Sequence, residues 1–242
     1  MAKSRCLIPR ALMLSLFCAH EAGAAGAGAE DYASERAEMV GRQIADRGVS
    51  DERVLAAMRK VPRHEFVPES EQRMAYHDTP LPIGENQTIS QPYIVALMTE
   101  LARPEKDHRV LEVGTGSGYQ AAVLAELVDK VYSIEIEPTL ARTASDVLQR
   151  LGYDNVTVRA GDGYMGWQEH APFDVIMITA APDHVPAPLI AQLKPGGRMV
   201  VPVGPVAATQ QLRVLAKNAA GDVTTTVVAP VRFVPLRRRD DQ

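Results

Sequence analysis

Cysteine is nearly missing. The 242-residue chain has two, Cys6 and Cys18, and both fall in a segment that reads as a targeting peptide. That segment has a basic start (Lys3, Arg5, Arg10), an apolar run from Ala11 to Ala19, and small residues at Ala22-Gly23-Ala24 that fit a signal-peptidase site. A signal peptide over residues 1–24, followed by a tail at 25–34, would leave a body without cysteine. Disulfides, a Cys nucleophile, zinc-thiolate sites and iron–sulfur clusters are then excluded together.

Other absences narrow the reading further. The apolar run of the leader is too short for a membrane span, and no later run approaches the ~20 residues required. The six histidines, at 20, 64, 77, 108, 170 and 184, show no metal-binding spacing, so no metal is expected. Ser117 lies outside any G-x-S-x-G elbow, which leaves a serine hydrolase unsupported. Formal charge is −4, and more negative once the leader is removed, which argues against nucleic acid as a partner. The export reading places the protein in the periplasm, and an upstream extension ahead of a start at Met39 would place it in the cytoplasm.

What is present is a rhythm of strands and helices. Residues 31–62 show apolar positions at helical spacing (Met39, Val40, Ile44, then Val54, Leu55, Met58, Val61), with Ser50 and Asp51 as starters and Pro62 as a stop. Residues 62–92 carry Pro62, Pro68, Pro80, Pro82, Gly84 and Pro92 and read as an ordered but irregular segment. A helix is expected from Pro92 to about Ala102. Strands are then expected at 110–113, 131–136, 156–158, 175–178 and 199–203, with helices at 120–128, 139–151 and 187–193 between them. This alternation predicts an α/β fold, a doubly wound, mostly parallel sheet. Segments 212–217 and 223–228, separated by a turn, predict a C-terminal antiparallel hairpin at its edge. Residues 35–236 form one domain in this reading, and Arg237-Arg238-Arg239-Asp240-Asp241 a charged, solvated tail over 237–242.

Val110-Leu111-Glu112-Val113-Gly114-Thr115-Gly116-Ser117-Gly118-Tyr119 runs from a buried strand through a glycine-rich turn into a helix, an arrangement that binds a ligand with backbone N–H groups. A dinucleotide site has G-x-G-x-x-G, whereas the spacing here is G-x-G-x-G behind Glu112. A carboxylate there would repel a diphosphate and accept from a cationic amino-acid group, favouring S-adenosylmethionine over NAD. Glu135, at the end of the second strand, suits the two ribose hydroxyls, and Asp162-Gly163 suits a turn near adenine. Phe173-Asp174-Val175-Ile176 and Leu193-Lys194-Pro195-Gly196-Gly197-Arg198 follow the glycine turn, and in this order they resemble the class I methyltransferase series.

Leu81-Pro82-Ile83-Gly84-Glu85-Asn86-Gln87-Thr88-Ile89-Ser90-Gln91-Pro92-Tyr93 resembles the signature loop of the protein-L-isoaspartate O-methyltransferases. The resemblance extends to Val61–Pro68, Ala171–Asp174, Thr179–Pro182 and Arg232–Leu236. It implies a monomeric protein-repair enzyme with N-terminal helices and a Rossmann-like sheet, acting on isoaspartyl-containing proteins and peptides. It also implies that Ser90 is catalytic and that Thr88, Glu112, Gly114, Gly116, Gly118, Glu135, Asp162 and Gly163 hold S-adenosylmethionine. Thr179, Ala180, Ala181, Val234, Pro235 and Leu236 would then form the substrate groove. Without the resemblance, the favoured reading of Ser90 is a helix cap ahead of Pro92. Two other functions share these features: an NAD-dependent oxidoreductase, and a catalytically silent peptide-binding protein of the same fold.

Overall fold

The computed structural model describes Met1, residues 27–205 and residues 208–238. Apart from Met1, the expected signal peptide, with both cysteines, lies outside the described residues. Among the described residues, no helix is long and apolar enough to cross a membrane.

Helix α1 (Ala27–Glu38) continues through a wide π-helical turn at Met39–Ile44 and a tight turn that ends at Gly48, in the left-handed region at φ 100°. Helix α2 (Glu52–Lys60) starts at Asp51, whose side chain accepts the N–H of Arg53, and stops where Val61 turns extended before Pro62. The proline-rich stretch expected to be irregular holds two 3-10 turns, at Arg63–Phe66 and Glu69–Met74, and then a small antiparallel hairpin. That hairpin joins β1 (Leu81–Gly84) to β2 (Gln87–Ile89). Glu85 and Asn86 both take positive φ, 51° and 54°, the two-residue turn whose twist suits paired strands. Helix α3 (Pro92–Ala102) opens on proline, which has no N–H to leave unpaired.

The main sheet is built from β3 (Arg109–Val113), β4 (Lys130–Glu135), β5 (Val156–Ala160), β6 (Phe173–Ile178), β7 (Leu193–Val203), β8 (Gln210–Lys217) and β9 (Val223–Val231). Helices α4 (Tyr119–Ala125), α5 (Pro138–Arg150) and α6 (Ala187–Gln192) alternate with the parallel strands. Strand order is β5-β4-β3-β6-β7-β8-β9, parallel through β7 and antiparallel beyond it, as the sequence predicts. Strand β6 shows why its run from Val175 to Ile178 is apolar. Val175 and Met177 pack into a core under the N-terminal helices, while Ile176 and Ile178 pack into a second core on the other face.

From β3 the chain winds outward to β4 and β5, then crosses back to β6 on the other side of β3. The reversal opens a crevice at the carboxyl ends of β3 and β6, the place where open α/β sheets bind ligands. Asp174 accepts the N–H of Arg109 at 2.9 Å and pairs with Lys194, so two of the expected motifs tie strands together away from this crevice.

Candidate active site

A cavity opens at the switch point between β3 and β6. Its wall carries Thr88, Ser90, Gly114, Gly116, Glu135, Gly163, Thr179, Ala180, Val234, Pro235 and Leu236 from the residues expected in the site. Gly114 follows β3 at φ 97°, and a Cβ there would stand 2.5 Å from Thr179 Oγ1. Thr179, directly after β6, hydrogen-bonds the Val113 carbonyl at 3.0 Å and lies 2.5 Å from that of Gly114. The first glycine therefore makes room for its neighbouring strand end.

Glu135 is buried at the end of β4. Its Oε2 accepts the N–H of Gly116 at 2.7 Å and its Oε1 that of Glu137 at 3.0 Å. Burial raises its pKa, and these backbone N–H groups oppose the rise. Each oxygen keeps a lone pair for a hydroxyl in the cavity.

Four expected residues are not on the cavity wall. Glu112 was expected to accept a cationic group, but its carboxyl is fully buried behind the wall. Its Oε2 accepts from Ser133, whose hydroxyl lies 2.5 Å from that of Thr115 on the wall, and its Oε1 has no partner among the described residues. Burial pushes the Glu112 carboxyl up to about 8, so the acid is predominantly neutral at pH 7. Gly118, at φ 89°, faces Leu148 and Ala144 and lets α5 pack close. Asp162 accepts the N–H of Tyr164 at 2.8 Å and caps a short turn. Ala181 exchanges bonds with the C-terminal segment, donating to the Val234 carbonyl and accepting from the Leu236 N–H. Those backbone groups are thus unavailable to an extended peptide.

A second, larger groove of ≈ 590 Å³ runs beside the cavity, lined by Arg47, Tyr93, Leu97, Pro230, Arg232 and Phe233 among others. This size falls in the roughly 300–1,000 Å³ range of ligand sites. Thr88, Ser90, Thr179 and Val234 line both spaces. Ser90 does not cap α3: the N-cap is Gln91, without a side-chain cap bond. No hydrogen bond engages the Ser90 hydroxyl among the described residues.

The site also uses residues that no sequence motif marks. Asp78 Oδ1 accepts the N–H of Tyr93 at 2.9 Å, in the first turn of α3, and its Oδ2 accepts from Gln91 at 3.1 Å and pairs with Arg47. One carboxylate thus fixes the loop carrying Ser90. The Arg47 guanidinium also lies 3.5 Å from the centre of the Tyr93 ring. No residue spacing announces these contacts. Arg237, placed by the sequence in a solvated tail, is partly buried on the cavity wall. Among the described residues, no group of three or more His, Cys, Asp or Glu could hold a metal ion.

Residues 34–241 match the family described as protein-L-isoaspartate(D-aspartate) O-methyltransferase. The chain belongs to this family. It is 63% identical over 186 residues to protein-L-isoaspartate O-methyltransferase 2 of Polaromonas sp. strain JS666, covering 77% of this chain and 88% of that one. To the enzyme of the same name from Syntrophobacter fumaroxidans it is 54% identical over 234 residues, covering 93% and 95%. A solved protein-L-isoaspartate O-methyltransferase superposes with a TM-score of 0.75 at 32% identity, over 82% of this chain and 65% of that longer one. A Plasmodium falciparum protein of the same description, solved in complex with S-adenosyl-L-homocysteine, shares the fold with a TM-score of 0.72 at 24% identity, over 84% and 98%. None of these relatives supports the oxidoreductase or the silent peptide-binding reading.

Proposed function

We propose that the cavity between β3 and β6 holds S-adenosyl-L-methionine and that the groove presents the α-carboxylate of an L-isoaspartyl residue across the shared wall. The observation that carries this reading is that wall. Ser90, with an uncommitted hydroxyl, stands where the two spaces meet.

The cavity residues fit an S-adenosyl group. Glu135 offers acceptors for two ribose hydroxyls, Ile134 and Ile136 give apolar surface, and the turn from Gly114 to Ser117 approaches as backbone. When bound, the cofactor supplies a methyl group on a sulfonium. A substrate carboxylate, with a pKa near ~4, is already ionised at neutral pH and needs no general base. With the cofactor bound, a carboxylate oxygen would take the methyl carbon, leaving the electron pair of the broken carbon–sulfur bond on sulfur. The protein's part is to orient that oxygen, through Ser90, and to strip its water. Labelled methyl transfer to an isoaspartyl peptide, with none to its aspartyl counterpart, is the expected result. Equal labelling of both peptides would refute the substrate assignment.

The same reading covers damaged proteins in the periplasm, reached through the leader at residues 1–24, and a monomeric enzyme. Fractionation with N-terminal sequencing should find a start near Ala25 in the periplasm. An intact leader in the cytosol would overturn export, and a dimer mass in light scattering would overturn the monomer.

A further inference from the structure

The segment after β9 crosses the mouth of the cofactor cavity and is pinned at three loops. Ala181, after β6, exchanges bonds of 2.8 and 2.9 Å with Val234 and Leu236. Tyr164, after β5, donates its hydroxyl to the Leu236 carbonyl at 3.4 Å, and the Arg238 guanidinium stacks 4.1 Å from its ring centre. Arg237 reaches the third loop, after β4, where its Nη1 lies 2.8 Å from Glu137 Oε1. The two side chains are 30% and 17% exposed, so water screens this pair less than an open surface pair.

Two details tie that ion pair to the cofactor. Glu137 donates its backbone N–H to Glu135, the acid assigned to the ribose. Arg237 lines the cavity, and its Nη2 is buried without a partner among the described residues. A buried guanidinium N–H left without an acceptor is costly, and an acceptor arriving in the cavity removes that cost.

We propose that Arg237 is a cofactor-holding residue, latching the C-terminal segment across the cavity through Glu137 and donating its free N–H to an acceptor on the adenosyl group. The inference rests on reading this cavity as the cofactor site. The latch sets how long S-adenosylhomocysteine stays bound after transfer.

The test uses the full chain and S-adenosylhomocysteine as probe, with Kd from calorimetry and dissociation rate from stopped flow. Arg237→Gln should weaken binding about tenfold, the loss of a charged hydrogen bond. Glu137→Gln should weaken it less, and the double variant should be no weaker than Arg237→Gln alone. In the ligand-free protein, hydrogen exchange at the Leu236 N–H should quicken in both single variants. A Kd for Arg237→Gln within twofold of wild type, or unchanged exchange at Leu236, would overturn the proposal. Failure of the wild type to bind S-adenosylhomocysteine would instead overturn the cofactor assignment itself.

Discussion

Glu112→Gln is expected to stabilise the protein progressively as pH rises, although the residue belongs to the glycine-turn motif. The acid is buried, and its carboxyl is pushed from 4.5 up to about 8, mainly by desolvation. Below pH 4.5 the folded and unfolded chains both carry the proton, so the group imposes no penalty. Between 4.5 and 8 the unfolded chain releases it while the folded chain retains it, and stability falls; above 8 the penalty is complete. That shift converts to about 5 kcal/mol as an upper bound. Glutamine keeps an oxygen to accept from Ser133 and cannot ionise. Urea unfolding of wild type and variant from pH 5 to 9 should show the variant gaining about 2–5 kcal/mol relative to wild type across that range. A difference that stays flat with pH would refute the assignment of a neutral, buried acid.

Three further outcomes test other parts of the site. Ser90→Ala should lower kcat/KM for an isoaspartyl peptide about tenfold or more while the unfolding free energy changes by less than about 0.5 kcal/mol, because the hydroxyl caps no helix. Gly114→Ala combines φ 97° with a Cβ 2.5 Å from Thr179 Oγ1 and should cost more than about 2 kcal/mol, whereas Gly48→Ala, at φ 100° in open space, should cost about 1 kcal/mol; chemical denaturation separates them. Asp78→Asn should raise the peptide KM about threefold through the lost pairing with Arg47, with calorimetric affinity for S-adenosylhomocysteine unchanged.

The sheet is legible because parallel strands buried on both faces need continuous apolar runs, such as residues 175–178 of β6, and because the glycine turn after β3 is local in sequence. The hairpin at 81–89 is hidden by Pro82 and by Pro80 just ahead of it. Its signal was the pair Glu85-Asn86, of which only Asn86 is a residue type that tolerates positive φ readily. A carboxylate beside a glycine turn suggests a ligand contact for Glu112. Its burial behind Ser133 depends on the pairing of β3 with β4, which no local pattern reports. Asp78 and Arg237 were missed for the same reason, since their partners are set by the tertiary fold. Ser90 stands out through the family signature, and the structure adds that its hydroxyl is uncommitted among the described residues.

Thr88, Ser90, Thr179 and Val234 each face both the cavity and the groove. A wall held in common makes the two occupants each other's effectors. If a seated nucleoside stiffens the loop from Thr88 to Ser90, the peptide binds to a surface already ordered, and the peptide must tighten the nucleoside by the same factor. Reciprocity then holds for the products as well, so the methyl ester and the spent sulfur compound change one another's affinity by one common factor.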